Sequence, residues 1–225
     1  MVKGTVQAPL RWLLLGAFLM LPGLIPVSAR GSKSGTGCSP AAGDRAGNYV
    51  VPGVLGNVEY SPGLSLDAYA PKGDARPAAV ILPGAGATKR TQVTQLFEVL
   101  DRAGYAWFSL DYRAPADVAR ALDFIACPGR FNITPKLILI GVDTGAEVAL
   151  GVARIRRLGK TVLFSPKFDK LGRAGTSTAD SSSPSGAGFD FPVLIYQGAA
   201  DEDSPPAPVE AFCKRLPKCT YQAVP

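Results

Sequence analysis

Three short segments place chemically versatile residues directly after strongly apolar stretches. The first is Gly-Val-Asp-Thr-Gly at 141–145, with Asp143 in its centre, followed by an apolar-striped helical pattern. The second is Pro-Gly-Ala-Gly at 83–86, and the third is the acidic run at 201–203. In open parallel sheets, ligands bind beyond the carboxyl ends of the strands. If the apolar stretches are parallel strands, the three segments converge on one cleft.

Asp143 could act in two ways. A carboxylate can attack an electrophilic carbon and form an ester intermediate, but a base must then activate water against that ester. Alternatively, the carboxylate serves the following helix, whose first N–H groups and dipole favour a negative charge. On this second interpretation we expect Asp143 to cap a helix that starts at Thr144. The small residues around position 143 predict a sharp strand-to-helix turn that pushes its side chain into the cleft.

The glycine segment and the acidic run have compatible roles. Gly84, Ala85 and Gly86 follow an apolar run, so their backbone N–H groups could form a cradle for an anion or a developing oxyanion. A plain turn is the alternative, and a dinucleotide fingerprint is disfavoured because its third glycine is missing. Asp201 could orient a histidine, or the acidic run could simply cap the helix that opens at Pro206.

A chain in which strands and helices alternate would position these three segments at one edge of a sheet. A half-buried strand is predicted at 64–71 and a strand covered on both faces at 78–84. Further strands are predicted at 105–113, 136–143, 160–166 and 192–201, and helices at 91–103, from residue 115, at 144–157 and at 206–216. This alternation predicts a three-layer α/β fold with a mainly parallel central sheet. The Ser- and Gly-rich segment 174–188 is expected to be a disordered loop rather than a substrate lid.

Five segments in this order resemble the α/β-hydrolase superfamily, in particular its dienelactone hydrolase and small esterase branches. They read "LDAYAPKG" with "PAAVILPGAG", "LDRAGYAWFSLDYR", "ADVARALDFIA", "LILIGVDTGAEVAL" and "PVLIYQGAADEDSPPAPVEAFCKRL". The resemblance implies chemistry on carboxylic esters, with Asp143 at the nucleophile position and Asp201 at the position of the triad acid. The oxyanion-hole positions that it implies are Gly84, Ala85 and Thr144.

The chain departs from that family at the residues that would carry out catalysis. Asp143 replaces the elbow Ser or Cys, and Pro83 replaces the His that usually opens the oxyanion segment. Gln197 stands where a His often precedes the acid loop, and the 225 residues contain no His. We therefore expect an esterase-like protein that is inactive or a truncated gene product. The alternatives are an Asp-nucleophile hydrolase of the dehalogenase or epoxide hydrolase type, a small-ligand binding protein, and a cell-surface binding protein.

The two ends of the sequence predict export and an incomplete domain. Lys3 and Arg11 precede a long apolar run that ends in small residues, which predicts a signal peptide over 1–29; a retained membrane anchor is the alternative. A flexible leader is expected at 30–57 and the hydrolase-like domain at 58–225. We expect the chain to end inside or before the sheet's last strand, without the helix that covers it. The resulting open edge would favour self-association.

The predicted export makes the location secreted or periplasmic and favours disulfides. Cys213 and Cys219 are expected at the end of a helix and the start of the next strand, where a local bridge is plausible. That bridge leaves Cys38 to pair with Cys127. Four small buried thiols are the alternative.

Charge and composition narrow the possible partners. The formal net charge is +6, but the basic residues are scattered, so no nucleic-acid surface is predicted. We expect no cofactor, no metal and, after signal cleavage, no membrane contact. A small-molecule ligand or an ester substrate remains as the expected partner. The charge of Asp143 in the cleft favours a neutral or cationic ligand over an anion.

Overall fold

The computed structural model describes residues 38, 44–45, 52–90, 94–156, 158–167 and 189–225, with the backbone alone for 44–45. The expected signal peptide at 1–29 and the loop at 174–188 lie outside these residues, as does most of the leader at 30–57. Within the described ranges, no helix is long and apolar enough to cross a membrane.

One sheet runs through the centre of the described chain. Its strands are β1 (Asp44–Arg45), β2 (Leu55–Ser61), β3 (Leu64–Tyr69), β4 (Arg76–Leu82), β5 (Ala106–Leu110), β6 (Ile133–Val142), β7 (Lys160–Phe164), β8 (Val193–Gly198) and β9 (Cys219–Val224). Their order across the sheet is β1-β2-β3-β5-β4-β6-β7-β8-β9. The pairs from β5 to β9 are parallel, and those among β1, β2, β3 and β5 are antiparallel. The predicted α/β fold with a mainly parallel sheet is confirmed.

Helices cover both faces of this sheet. Those of the described residues are α1 (Thr94–Arg102), α2 (Pro115–Ile125), α3 (Thr144–Ile155) and α4 (Pro206–Lys214). On α1, an apolar stripe of Leu96, Phe97 and Leu100 is buried on one face of the sheet, while α2, α3 and α4 pack on the other. Pro115 opens α2 at the first helical position, where its missing N–H costs nothing.

The two layers of core meet on β4. Its Val80 and Leu82 side chains join the cluster beneath α2, α3 and α4, whereas Ala79 and Ile81 join the cluster beneath α1. All four side chains are buried. This explains the unbroken apolar run, because a parallel strand covered on both faces has no solvent side. The three-layer arrangement follows directly from that burial.

The prediction of a half-buried strand at 64–71 is wrong about burial. β3 is covered on both faces, and Asp67, at a polar position of the alternating pattern, is fully buried. Its carboxylate accepts hydrogen bonds from the Asn57 N–H and from the Arg90 guanidinium at 2.7 and 2.6 Å. A buried carboxylate with charged and polar partners produces the same sequence alternation as a solvent-facing one.

The end of the sheet differs from the sequence-based expectation in one respect. Cys219–Val224 forms a strand that pairs with β8 at six positions, so the strand expected to be interrupted in this segment is formed. The Ala199 N–H also donates to the Val224 carbonyl at 2.7 Å and fixes the strand's far end. The expected absence of a covering helix stays a prediction.

The cysteines pair as expected. Cys38 is bonded to Cys127 and Cys213 to Cys219, with Cα atoms 6.0 and 5.4 Å apart. The second bridge fastens the end of α4 to the start of β9. The first ties Cys38 to the segment that follows α2.

We predict that the folded, unreduced protein contains no alkylatable thiol. Both bridges are formed in the fold, so iodoacetamide should add no mass unless a reductant is present. Intact mass spectrometry under denaturing conditions, with and without reductant, measures this. Alkylation of all four cysteines without reductant would contradict the pairing.

Candidate functional site

Asp143 occupies the apex of the turn between β6 and α3. Its backbone has φ 54° and ψ −123°, a combination that is rare for a residue with a Cβ. The Asp143 N–H donates to the Phe164 carbonyl at 2.9 Å, and the Ala146 N–H donates to the Asp143 carbonyl at 3.1 Å. Strained conformations of this kind persist where the surrounding structure enforces them, often at functional sites. The sharp turn at 141–145, called the elbow below, is therefore formed.

Two glycines allow the elbow to be so tight. A Cβ on Gly141 would lie 2.5 Å from the Cα of Ala146. A Cβ on Gly145 would lie 2.3 Å from the carbonyl oxygen of Leu82, at the end of β4. Because glycine has no Cβ, the first turn of α3 packs directly on the end of β4. This contact brings the elbow next to the loop that follows β4.

The expectation that Asp143 caps α3 is wrong. A capping residue has an extended backbone that returns its side chain to the first helical N–H groups. With φ at 54°, the Asp143 carboxylate makes no such hydrogen bond. Its Oδ1 lies 3.1 Å from the Nζ of Lys167. This contact is an ion pair rather than a hydrogen bond, because Oδ1 is buried and has no partner with hydrogen-bond geometry.

Lys167 follows β7 and places a positive charge beside the elbow. Contact with the Asp143 carboxylate raises the pKa of Lys167 above the ordinary lysine value, and the charges of Asp203 and Asp201 add to that effect. Partial burial of Lys167 acts in the opposite direction but is outweighed. The ammonium is therefore protonated at neutral pH, and a protonated amine cannot serve as a general base.

The expected backbone cradle forms a turn next to the elbow. The Ala87 N–H donates to the Gly84 carbonyl at 3.1 Å, and Gly86 has φ 79°, which is the conformation that the third position of a type II turn requires. The Ala85 N–H, however, donates to the Thr144 hydroxyl at 2.5 Å. Two of the three positions expected in an oxyanion hole, Ala85 and Thr144, are thus bonded to each other.

Tyr112 links the end of β5 to the cradle and was not identified from the sequence. Its hydroxyl donates to the Pro83 carbonyl at 2.5 Å. Burial, together with the negative charge of Asp143, raises the pKa of Tyr112 to about 12. Tyr112 is consequently a neutral hydrogen-bond donor at physiological pH, and its ring borders the cleft.

Asp201 is held within its own loop. One carboxylate oxygen accepts from the Ser204 N–H at 2.9 Å and the other from the Gln197 side-chain amide at 3.0 Å. The same amide donates to the Ser204 carbonyl at 2.7 Å, and Gln197 is fully buried. Gln197 thus braces the loop that contains the expected triad acid. Asp201 also acts on Lys167, beside the elbow, through its charge.

A cleft of about 420 Å³ opens beside the elbow. Its walls come from the cradle, the end of β5 and the first turns of α3: Pro83, Gly84, Ala85, Gly86, Ala87, Leu110, Asp111, Tyr112, Arg113, Thr144, Glu147 and Val148. This volume suits a small organic molecule. Among the described residues, no group of three His, Cys, Asp or Glu side chains could hold a metal ion, and the absence of a metal stays a prediction.

Sequence reasoning missed Lys167 as well as Tyr112. A signal for both was present, because Tyr112 lies at the carboxyl end of one predicted strand and Lys167 just beyond another, at the sheet edge where ligands bind. Listing the polar residues after every strand, rather than after three of them, would have found this pair.

Comparisons with known proteins identify the architecture. Est1E from Butyrivibrio proteoclasticus is similar in structure, with a TM-score of 0.59 and 19% identity over 73% of this chain and 86% of that chain. Esterase 2 of Thermogutta terrifontis, phosphoramylated by tabun, has a TM-score of 0.57 and 18% identity over 72% of this chain and 77% of its own. No protein-family model matches the sequence, and no curated protein matches it significantly.

The chain has the α/β-hydrolase fold. At these identities the likeness shows the fold and leaves substrate and activity to the residues of the site. The 141–145 turn joins β6 to α3 with Asp143 at its apex; its correspondence to the nucleophile elbow of this fold stays a prediction.

We predict opposite effects of alanine at two glycines of α3. Gly145→Ala should lower the free energy of unfolding by about 1–3 kcal/mol, because its Cβ would overlap the Leu82 carbonyl. Gly151→Ala, at a helical position with open space, should raise it by about 0.5–1 kcal/mol. Urea unfolding of both variants measures the difference. Equal stability of the two would contradict the tight elbow.

A second prediction concerns the strain at Asp143. Asp143→Gly and Asp143→Ala both remove the carboxylate, but only alanine keeps a Cβ at φ 54°. We expect the glycine variant to be more stable than the alanine variant by about 1 kcal/mol or more. Thermal melting of the pair, with Asp143→Asn as the control for lost charge, measures this. An alanine variant as stable as the glycine variant would show that the apex is unstrained.

Proposed function

We propose that this protein is an exported relative of carboxylic ester hydrolases that binds a small neutral or cationic molecule in the cleft beside the elbow without hydrolysing esters. The observation that carries the proposal is the ion pair between Asp143 and Lys167 at the elbow apex. It places a carboxylate and a protonated amine where an ester hydrolase of this fold has its activated nucleophile.

The proposed lack of turnover rests on the chemistry of these two groups. To react with an ester, Asp143 would have to expel an alkoxide or phenoxide that is far more basic than the attacking carboxylate. An ester formed on Asp143 from an epoxide or haloalkane could be released only by water that a base activates. Among the described residues, Lys167 forms the ion pair with the Asp143 carboxylate, and its raised pKa keeps it protonated. The 225 residues also contain no His to take that role.

The cradle supports binding more than catalysis. A carbonyl oxygen of a ligand must displace the Thr144 hydroxyl from the Ala85 N–H, at the cost of a hydrogen bond worth about 0.5–1.5 kcal/mol. This cost is small enough for a bound ligand to offset. It nevertheless reduces the gain that an oxyanion would draw from the same donor in a transition state.

The composition of the cleft supports the proposed ligand class. Its walls combine the apolar Leu110 and Val148 with the carboxylates of Asp111 and Glu147 and one guanidinium, that of Arg113. Asp111 is paired with Lys89, and Glu147 and Arg113 carry opposite charges, so an anion would meet no net positive charge there. A neutral aromatic or aliphatic molecule, or one with an ammonium group, suits these walls better.

Export is supported by the disulfides. The two cysteine pairs bridge α4 to β9 and residue 38 to the segment after α2. Bonds of this kind persist in oxidising compartments and are rare in the cytosol of mesophiles. Together with the predicted signal peptide, they support a secreted or periplasmic location.

An Asp-nucleophile hydrolase is the second candidate, and one observation favours it. Asp143 keeps a strained backbone at the apex of the elbow, and strain of this kind is common at catalytic residues. In that case Lys167 would have to move away from Asp143 before attack. The two candidates differ in whether removal of the carboxylate abolishes an activity.

We predict that the protein binds phenyl acetate and does not hydrolyse it. Amide NMR signals of residues 84–87 and 144–148 should shift on titration with phenyl acetate, benzyl alcohol or benzylammonium, and less with benzoate. Phenol release should equal that of buffer for the parent chain and for Asp143→Ser, because a serine without a base remains a weak nucleophile.

Three results would contradict this prediction. They are a covalent phosphonate adduct on a serine of the folded chain, phenyl acetate hydrolysis that disappears in Asp143→Asn, and titrations in which no cleft amide shifts. The first two would establish an enzyme, and the third would remove the binding function.

A further inference from the structure

Lys89 is a buried lysine that does not line the cleft. Only 6% of the residue is exposed. Its ammonium donates to the Ser65 hydroxyl at 2.6 Å and to a carboxylate oxygen of Asp111. The Ser65 hydroxyl donates to the same Asp111 oxygen at 3.1 Å. Burial of an ammonium is costly unless such partners compensate for the lost water.

A second ion pair lies directly beside the first. Arg90 donates to both oxygens of the buried Asp67 carboxylate, at 2.6 and 3.1 Å. The Lys89 ammonium lies 4.0 Å from one of these oxygens. Two cations and two carboxylates therefore alternate in one cluster, and each charge faces an opposite one. We call Lys89, Arg90, Asp67 and Asp111 the ion cluster.

The ion cluster joins the cradle loop to the sheet. Lys89 and Arg90 lie in the segment that follows the cradle turn at residue 84, whereas Asp67 lies on β3 and Asp111 follows β5. The Ser109 hydroxyl donates to the Lys89 carbonyl at 2.7 Å and anchors the backbone of this segment as well. The chain is thus held by Gly145 on α3 at residue 82, before the cradle, and by the ion cluster at residues 89 and 90.

The ion cluster also reaches the cleft, through Asp111. This carboxylate lies on the cleft wall, and 39% of its side chain is exposed. Its charge is compensated from behind by the Lys89 ammonium, which approaches it from the interior of the fold. A ligand in the cleft therefore meets the Asp111 carboxylate with its charge largely neutralised.

We propose that Lys89 determines the charge preference of the cleft by neutralising Asp111 from the interior and fixing the loop that presents the cradle. The inference rests on the proposed ligand-binding function and adds the residue that sets its selectivity. Loss of the ammonium would leave a net negative charge on the cleft wall. A cationic ligand would then gain affinity over a neutral ligand of the same shape.

The test compares benzylammonium with benzyl alcohol, which are similar in size and differ in charge. The ratio of their dissociation constants is measured by amide NMR titration for the parent chain and for Lys89→Met. In Lys89→Met this ratio should shift toward benzylammonium by roughly threefold, since removal of one unit charge about 6–7 Å from the ligand, beyond the Asp111 carboxylate, has that effect in a water-like medium. Lys89→Arg should restore the parental ratio, and Lys72→Met, at an exposed lysine, should leave it unchanged.

Asp111→Asn and the double variant Lys89→Met with Asp111→Asn complete a cycle. The double variant removes both charges and should return the ratio to the parental value. Asp111→Asn alone leaves the ion cluster with one excess positive charge. The ratio of the two dissociation constants should then shift toward benzyl alcohol. If Lys89→Met does not fold, Asp111→Asn is compared with the parent alone: a shift of the ratio toward benzyl alcohol supports charge compensation between Lys89 and Asp111, and an unchanged ratio contradicts it.

The outcomes separate this inference from the proposed function. If the parent binds neither probe, the proposed function fails, and the selectivity role of Lys89 fails with it. The role of Lys89 in fixing the loop is then tested alone: the amide signals of residues 84–87 in the unliganded protein should shift in Lys89→Met and return to their parental positions in Lys89→Arg. If the parent binds but Lys89→Met weakens both probes equally, Lys89 is only structural and the proposed selectivity role is wrong.

Discussion

The contact between the first turn of α3 and the end of β4 determines the geometry of the whole site. At Gly145 the two backbones are so close that a Cβ would lie 2.3 Å from a carbonyl oxygen. This packing leaves the chain no room for an ordinary helix start, so the residue at the apex is forced to φ 54°. Elbow, cradle and cleft all derive their relative positions from this one approach of backbone to backbone.

Within that geometry, several polar groups of the site contact one another. The Asp143 carboxylate faces the Lys167 ammonium, the Ala85 N–H bonds to the Thr144 hydroxyl, and Tyr112 bonds to the carbonyl of Pro83. An active hydrolase of this fold needs a base that is unprotonated and donors that await the transition state. The engagement of these groups in the resting protein supports the proposed binding function over ester hydrolysis.

Much of the fold could be predicted from the sequence because it depends on burial. The apolar run of β4 is covered on both faces, and small residues at 141 and 145 indicated the elbow. The details of the site could not be predicted, because they depend on contacts between distant segments. The prediction that Asp143 caps α3 is wrong because the positive φ turns its carboxylate away from α3. The carboxylate lies instead beside Lys167, which follows another strand. Asp67 appeared to face solvent because alternation does not distinguish water from a buried guanidinium.

Isotope labelling of Asp143 tests most directly whether its carboxylate forms a covalent bond with a substrate. The protein is incubated in ¹⁸O-labelled water with an excess of an epoxide or haloalkane and then digested, and the mass of the peptide containing Asp143 is measured. Water that cleaves an ester on this carboxylate would leave its oxygen there, whereas an ion-paired Asp143 that never attacks keeps its original oxygens. We predict the unlabelled mass, equal to that of a sample without substrate. Substrate-dependent incorporation of ¹⁸O into Asp143 would contradict the account and establish an Asp nucleophile.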